Sequence, residues 1–381
     1  MKAILTKKLY TMAGEPLEGG MILIEDGKIT AVGKDLPIPE GAEVLDISAC
    51  EVTPGFIDAH THIAGFGIQT TGDGNDFANP ICPQMRLADG VDATHFSFAR
   101  TRLGGFTSIC QLPGSGNLMG GCGYVQKLTD GADLRKKIYG PVQVKMALGE
   151  NPRRCYGQDK GRAPMTRMGN AAMLREALRE AYEYYTAQRD GEPKSYDDRW
   201  EALIPFFAGE AVAHVHCHRG DDILTAIRLL EPYGVKFSID HCTEGHLVRD
   251  ILAEKKISCV VGPIGCGPQK QETWHCTPAC AALLEEAGVE DICLTIDGDC
   301  HVCALPLDAG TCMAYGLSEE AALASLTRSP AKVLGIADRV GTIEVGKDAD
   351  IAVFDGFPLS NYTLCKGVFI DGTYYEAKEA Y

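Results

Sequence analysis

Two histidines one residue apart end an apolar run at residues 54–62, which reads PGFIDAHTH. Successive side chains of a β-strand point to opposite faces, so we expect His60 and His62 to project from the same face. Two imidazoles side by side suit a transition metal. Ordinary strand histidines also produce this short pattern, so a metal site needs support from the rest of the chain.

The composition narrows the class of partner. The 381 residues carry a formal net charge of -16. Nucleic acids and anionic membranes require a basic surface, so neither is expected as a partner. A small-molecule substrate agrees better with this charge.

We expect a cytoplasmic protein. No run of 18 apolar residues is present, and the first eight residues are too short and too soon polar for a signal peptide. The 16 cysteines are scattered through apolar segments, which is typical of reduced, buried thiols.

Both ends of the chain have the pattern of β-strands. Residues 1–54 alternate apolar and polar positions around the turn Asp26-Gly27, and residues 341–381 repeat these signals. Each segment is too small to enclose a core of its own. We therefore predict one minor domain built from 1–54 and 341–381, with a larger domain at 55–340.

The central segment alternates apolar runs with stretches of helical spacing, as in βαβ units. This pattern predicts an α/β fold, a (β/α)8 TIM barrel, whose chemistry lies at the C-terminal ends of the strands. The eight candidate strands are 52–62, 106–112, 124–128, 142–148, 211–216, 235–241, 257–261 and 292–297.

Polar residues recur where these strands end. The set comprises His60, His62, His216, His241 and Asp297, with Lys145 inside the fourth strand. Ordinary core positions would hold mostly Val, Ile and Leu. Because a barrel brings its strand ends together, the joint pattern favours a metal site.

These motifs, together with the GKDADI stretch at 346–351, resemble the amidohydrolase superfamily. The chain is most similar to the branch with imidazolonepropionase-related and prolidase-like members. The resemblance implies a metal-bearing (β/α)8 barrel with a small β-sandwich formed by both termini. It also implies a homo-oligomer, since relatives often assemble in this way.

The resemblance assigns roles to individual residues. His60 and His62 match the first-strand ligands, His216 the fifth-strand ligand, His241 the sixth-strand ligand and Asp297 the eighth-strand aspartate. One or two divalent ions are implied, with zinc as the first expectation. Lys145 matches the lysine that many relatives carboxylate to bridge two metals. Glu150 stays open as an alternative bridging ligand, although Lys145 is favoured.

The implied reaction is hydrolysis of a carbon–nitrogen bond in an amide, peptide or cyclic amide, with Asp297 moving the proton. Relatives that deaminate nucleobases have a glutamate three residues after the fifth-strand histidine, whereas Arg219 stands there. A cyclic imidazolone-type hydrolase or an unusual deaminase is the alternative reaction. A non-catalytic barrel that binds a partner is the alternative from another class.

Several residues after the strands are candidates for substrate binding. We hypothesise that Arg153, Arg154 or Arg219 binds a substrate carboxylate, although at least one of the three is expected to be a solvated surface arginine. His218 shares a strand face with His216. Substrate contact and an ordinary surface position are both open for His218.

Overall fold

The computed structural model of the chain describes residues 1–66, 72–192, 194–265 and 267–377. Its strands form two sheets of eight. The terminal sheet contains β1 (Lys2–Leu9), β2 (Leu17–Glu18), β3 (Met21–Glu25), β4 (Lys28–Gly33), β5 (Glu43–Pro54), β14 (Ile351–Phe354), β15 (Cys365–Ile370) and β16 (Thr373–Glu376). The barrel sheet contains β6 (Phe56–Thr61), β7 (Phe106–Gln111), β8 (Met119–Lys127), β9 (Ile138–Ala147), β10 (Val212–Cys217), β11 (Phe237–His241), β12 (Ser258–Val261) and β13 (Ile292–Leu294).

Helices of very different lengths connect the barrel strands. They are α1 (Phe96–Thr101), α2 (Glu150–Arg153), α3 (Arg167–Arg189), α4 (Asp198–Glu201), α5 (Ile204–Phe207), α6 (Gly220–Leu230), α7 (Arg249–Glu254), α8 (Cys280–Glu286), α9 (Leu305–Ala314), α10 (Glu319–Ala324) and α11 (Arg328–Val333). Among the described residues, none of these helices has the length and apolar character needed to cross a bilayer.

The barrel prediction is confirmed. Strands β6 to β13 are hydrogen-bonded to one another in chain order, and each overlaps one of the eight predicted strands. The two outer strands of this sheet meet where the hydroxyl of Thr295 donates to the carbonyl of His60 at 2.8 Å. This contact brings the first and last strands of the barrel together.

One strand departs from the expected βαβ pattern. β8 is antiparallel to both of its neighbours, β7 and β9. The reason is the length of its connections, 112–118 before the strand and 128–137 after it. A parallel crossover needs a dozen or more residues, so these segments form hairpins instead.

The predicted minor domain from both termini is also confirmed. β5 pairs with β1 from the N-terminal segment and with β14 from the C-terminal segment, which joins the two ends in one hydrogen-bonded sheet. A separate core lies against this sheet, with Ile4, Ile22 and Phe369 among its buried residues. β5 leads through Gly55 directly into β6, so the terminal sheet is continuous with the barrel.

The strand register places polar residues next to each other inside the barrel sheet. Lys145 on β9 is the register partner of His214 on β10, and His216 on β10 is the partner of Asp240 on β11. In-register neighbours project from the same face of a sheet. All four side chains are buried, so the barrel contains a polar layer near its C-terminal end.

A buried ion-pair cluster joins the barrel to the terminal domain. The Lys127 ammonium, at the end of β8, lies 2.7 Å from Asp348 Oδ2 and 3.0 Å from Asp350 Oδ1, and it also contacts Asp371. Lys127 is 5% exposed at its side chain, and Asp348 is 1% exposed. The two aspartates belong to the GKDADI stretch, so this motif holds the two domains together.

Replacing Lys127 with methionine is expected to lower the free energy of unfolding by about 3–5 kcal/mol, because the buried carboxylates of Asp348 and Asp350 lose their shared cation. Chemical denaturation measures the change. Lys136→Met, at an exposed position nearby, serves as the matched control and is expected to change stability by less than about 0.5 kcal/mol. Equal effects of the two substitutions would contradict this role.

The same cluster predicts a pH dependence of stability. Burial raises the pKa of Asp348, but Lys127, Lys28 and Arg339 outweigh burial and hold the pKa at about 2. Because the folded pKa is lower than the unfolded one, the stabilisation is present at neutral pH and is lost as the pH falls toward 2. We expect the stability difference between the wild type and Asp348→Asn to shrink between about pH 5 and about pH 2. Denaturation curves at several pH values test this, and a constant difference would be inconsistent with it.

Candidate metal centre

The two histidines of the PGFIDAHTH run direct their Nε2 atoms toward each other. His60 is fully buried, and its Nδ1 lies 2.5 Å from Asp240 Oδ2. His62 Nδ1 donates to the carbonyl of Leu112 at 2.8 Å. Since each Nδ1 carries the proton, each Nε2 carries a lone pair, and these two atoms are 3.3 Å apart. Two converging lone pairs form an arrangement that binds a cation.

The carboxylate of Asp297 lies against the same two rings. Its Oδ1 is 3.3 Å from His62 Nε2 and 3.5 Å from His60 Nε2. Burial raises the pKa of Asp297, but the neighbouring His241, His62 and His60 outweigh burial and hold it well below its usual range. Asp297 also has a backbone φ of 52°, a left-handed conformation that is unfavourable for a residue with a side chain.

Lys145 is the predicted fourth-strand residue that reaches the centre. It is fully buried on β9, and its Nζ lies 3.1 Å from His60 Nε2. Burial lowers the pKa of this ammonium, while the carboxylates of Asp240 and Asp297 oppose the shift. Glu150 is not among the grouped metal-binding side chains of the described residues. The chain enters α2 at Glu150, whose backbone N–H instead donates to Glu272.

A group of three histidines extends the centre. The His216 and His241 rings are 4.3 Å apart, and the His218 ring lies 4.7 Å from His216 and 4.9 Å from His241. Ligand atoms of these three residues lie within 4.8 Å of one another, as do those of His60, His241 and Asp297. His241 therefore belongs to both groups. His218 is only 6% exposed, which makes the surface alternative for it wrong.

The backbone at the end of β11 explains how two successive residues both reach His60. Asp240 hydrogen-bonds to the His60 ring, and the His241 ring centroid is 4.8 Å from that of His60. A regular strand would direct these neighbours to opposite faces. His241 and Cys242 have φ values of 69° and 46°, so the strand turns sharply at this point.

The donor set meets the requirements of a divalent metal ion. Among the described residues, His216 Nδ1, His241 Nε2 and Asp297 Oδ1 are buried without a hydrogen-bond partner. Such orphaned atoms are costly unless they bind a ligand. Burial lowers the pKa of His216, His218 and His241 and outweighs the Asp297 carboxylate, which opposes the shift at His218 and His241, so the imidazoles stay neutral. Neutral imidazole is the form that binds metal.

Sequence reasoning missed the role of Asp240. Its Oδ2 lies 3.0 Å from His214 Nδ1 in addition to His60, and Ser238 donates to its Oδ1 at 2.6 Å. Burial raises the pKa of Asp240, but His214 and His60 outweigh burial and hold it well below its usual range. The signal was the alternation of polar Ser238 and Asp240 on an otherwise buried strand. Asp58, by contrast, accepts the backbone N–H of His60 and does not contact the ring nitrogen.

A cavity of about 340 Å³ opens onto this centre. Of the three candidate arginines, Arg154 lines it. Arg153 and Arg219 do not appear in the cavity wall formed by the described residues. Arg219 immediately precedes α6, and its guanidinium pairs with Asp221 at 2.8 Å. Other lining residues include Ser115, Asn151, His216, His218, Thr243, Lys270, Thr273, Cys276 and Asp297.

Comparison with known proteins identifies relatives along the whole chain. The sequence pattern of the amidohydrolase family matches residues 207–374. The amidohydrolase tasK of Hapsidospora irregularis is 29% identical over 98% of this chain. This match covers 43% of tasK, so the chain spans less than half the length of that relative. An imidazolonepropionase of Acidiphilium cryptum is 25% identical over 89% of this chain and 87% of its own.

Solved structures share the fold. An amidohydrolase from Thermotoga maritima is 35% identical with a TM-score of 0.92, and the match covers 99% of this chain and 100% of that chain. A prolidase complexed with N-methylphosphonate-L-proline has a TM-score of 0.61 at 18% identity, over 98% of this chain and 99% of its own. At that identity the prolidase supports the fold alone.

Replacing Asp240 with asparagine is expected to raise the dissociation constant for zinc by about 10- to 100-fold, because His60 loses the carboxylate that orients its ring. Competition with a chromogenic chelator measures the affinity, and circular dichroism checks that the variant is folded. Asp355→Asn, at an exposed position of the terminal domain, is the control and should bind zinc as the wild type does. Unchanged zinc affinity in a folded Asp240→Asn variant would exclude this role.

Proposed function

The chain belongs to the amidohydrolase family, and we propose that it is a metal-dependent hydrolase that cleaves a carbon–nitrogen bond of a small molecule. The observation that carries the proposal is the convergence of buried, unpaired donor atoms from His216, His241 and Asp297 beside His60 and His62. A fold that needed only a packed barrel would not retain these costly groups.

We assign the metal ligands to six side chains. They are His60, His62, Lys145, His216, His241 and Asp297. Imidazole donors suit zinc, which is the first ion to test, with one or two ions per chain. When bound, a divalent ion lowers the pKa of water and polarises a carbonyl group.

Asp297 is the proposed catalytic residue. Its carboxylate stays ionised beside His60 and His62, and it is therefore available to accept the proton of the attacking water. The water oxygen forms a bond to the carbonyl carbon, and the carbon–nitrogen bond then breaks. Asp297 passes its proton to the leaving nitrogen, so that one water is consumed and an acid and an amine are released.

Lys145 is proposed to carry a carboxylate group. Reaction of a lysine with carbon dioxide requires the neutral amine, and burial lowers the pKa of Lys145 in that direction. The new nitrogen–carbon bond releases one proton and adds two oxygen atoms to the side chain. The position of Nζ, 3.1 Å from His60 Nε2, supports this choice over Glu150.

The proposed substrates are N-acyl amino acids, dipeptides and cyclic amides. The cavity volume of about 340 Å³ fits a small molecule, and Arg154 supplies a cation in its wall. Opening of a cyclic imidazolone would use the same groups. Nucleobase deamination has less support. Three residues after His216, where deaminating relatives have a glutamate, this chain has Arg219, whose guanidinium pairs with Asp221.

We also propose a cytoplasmic location and a homo-oligomeric assembly.

The first test is the metal content of the purified protein by elemental analysis. We expect about one or two equivalents of a divalent metal. Alanine at His60 or Lys145 should lower this content, because each removes a proposed ligand, whereas Glu150→Ala is the matched control and should leave it unchanged. The loaded wild type is then assayed for amine release from N-acyl amino acids, dipeptides and cyclic amides.

The outcomes separate the alternatives. No bound metal after reconstitution with zinc, manganese or iron would refute the hydrolase and leave the non-catalytic binding protein. Loss of metal in Glu150→Ala but not in Lys145→Ala would make Glu150 the bridging ligand.

A further inference from the structure

A lysine after β12 faces the same cavity as the candidate metal centre. Lys270 lines the cavity wall together with His216 and Asp297. Its side chain is 27% exposed, so the ammonium is accessible from the cavity but largely enclosed. A partly desolvated cation interacts more strongly with an anion than a surface lysine does.

A buried carboxylate holds this cation in place. Glu272 is 2% exposed, and its Oε1 lies 2.8 Å from Lys270 Nζ. Its other oxygen, Oε2, accepts hydrogen bonds from Arg167 Nη2 at 3.0 Å and from the backbone N–H of Glu150 at 2.8 Å. Arg167 in turn donates to Asp222 at 2.9 Å. The four charges alternate in sign, which fixes the position of Lys270.

The backbone is shaped to accept this carboxylate. Gly149 has a φ of 89°, and a Cβ at this position would lie 2.8 Å from Glu272 Oε2. Only glycine avoids both the strained conformation and the close contact. The end of β9 is therefore adapted to the Glu272 carboxylate, and through it to Lys270.

Asn151 connects Lys270 to the metal centre. Lys270 Nζ donates to Asn151 Oδ1 at 3.2 Å, and Asn151 Nδ2 lies 3.4 Å from His216 Nε2. A single amide side chain thus separates the ammonium from a proposed metal ligand. An ammonium has three donor hydrogens, and Lys270 donates one of them to Asn151, while its contact with Glu272 is an ion pair. The ammonium therefore keeps donor capacity for a ligand in the cavity.

We propose that Lys270 binds a carboxylate carried on the carbon next to the scissile amide nitrogen. The substrate class is then N-acyl α-amino acids and dipeptides with a free carboxylate, which are preferred over the corresponding neutral amides. Arg154 provides a second cation in the same wall. The short path through Asn151 requires the carboxylate to be close to the bond that is cleaved. This assignment rests on the proposed hydrolase function and specifies its substrate.

Calorimetric binding to the zinc-loaded protein tests the proposal. The probes are N-acetyl-L-amino acids with each common side chain and the corresponding N-acetyl-L-amino acid amides, which differ only in the carboxylate. We expect the best acid to bind more tightly than its amide by roughly 10- to 100-fold, the strength of one hydrogen bond between charged groups. Lys270→Met should remove this preference, and Lys270→Arg should restore part of it.

Two further variants keep the test decisive. Lys270→Gln keeps a polar side chain with hydrogen-bond donors but removes the charge, and it replaces Lys270→Met if that variant does not fold. Lys332→Met is the matched control, because Lys332 pairs with Asp291 at the same distance of 2.8 Å, outside the cavity; it should keep the preference for the acid.

The assignment is overturned if no acid binds more tightly than its amide, including the case in which neither binds. It is also overturned if the preference survives in folded Lys270→Met or Lys270→Gln. Failure of the hydrolase function gives a different result, namely a protein without metal or without amine release. Hydrolysis of acids and amides at equal rates would retain the hydrolase and reject the role of Lys270.

Discussion

The candidate centre depends on one buried charge, the carboxylate of Asp240. A carboxylate removed from water is costly unless its oxygens are paired, so its partners have little positional freedom. His60 approaches it from the site, and His214 approaches it from deeper in the barrel. Gln143 lies 2.9 Å from the far nitrogen of His214 and continues this polar chain. Asp240 therefore orients the ring of His60 through its Nδ1 atom, and the Nε2 atom is directed toward His62.

The antiparallel direction of β8, the third strand of the barrel, brings the segment before it to the metal centre. A crossover helix between β7 and β8 would have carried residues 112–118 to the outside of the barrel. The hairpin instead keeps this segment at the site, where the carbonyl of Leu112 accepts from His62 and the hydroxyl of Ser115 lies 2.8 Å from Asn151 Nδ2. Gly123 permits the close return, because a Cβ there would meet the carbonyl of Gln111 at 2.2 Å.

Strand alternation and buried apolar runs were sufficient to predict the barrel, the terminal domain and the grouping of His60, His62 and Asp297. These features depend on local periodicity, which a single sequence contains. The direction of β8 was missed because its glycine-rich segment has a weak strand signal. The pairing of Lys270 with Glu272 and Arg167 was also missed. It depends on which loops meet in space, and periodicity carries no information about that.

The charge of the chain and the charge of its cavity act over different distances. A net charge of -16 opposes the approach of an anion, but salt screens this repulsion beyond about 8 Å at physiological ionic strength. Lys270 and Arg154 lie in the wall of the cavity, where their contacts with a ligand are only partly screened. Long-range repulsion lowers the association rate, whereas a local ion pair lowers the dissociation rate. An acidic protein can therefore select an anionic substrate, provided that its cations are held by the fold at the point of contact.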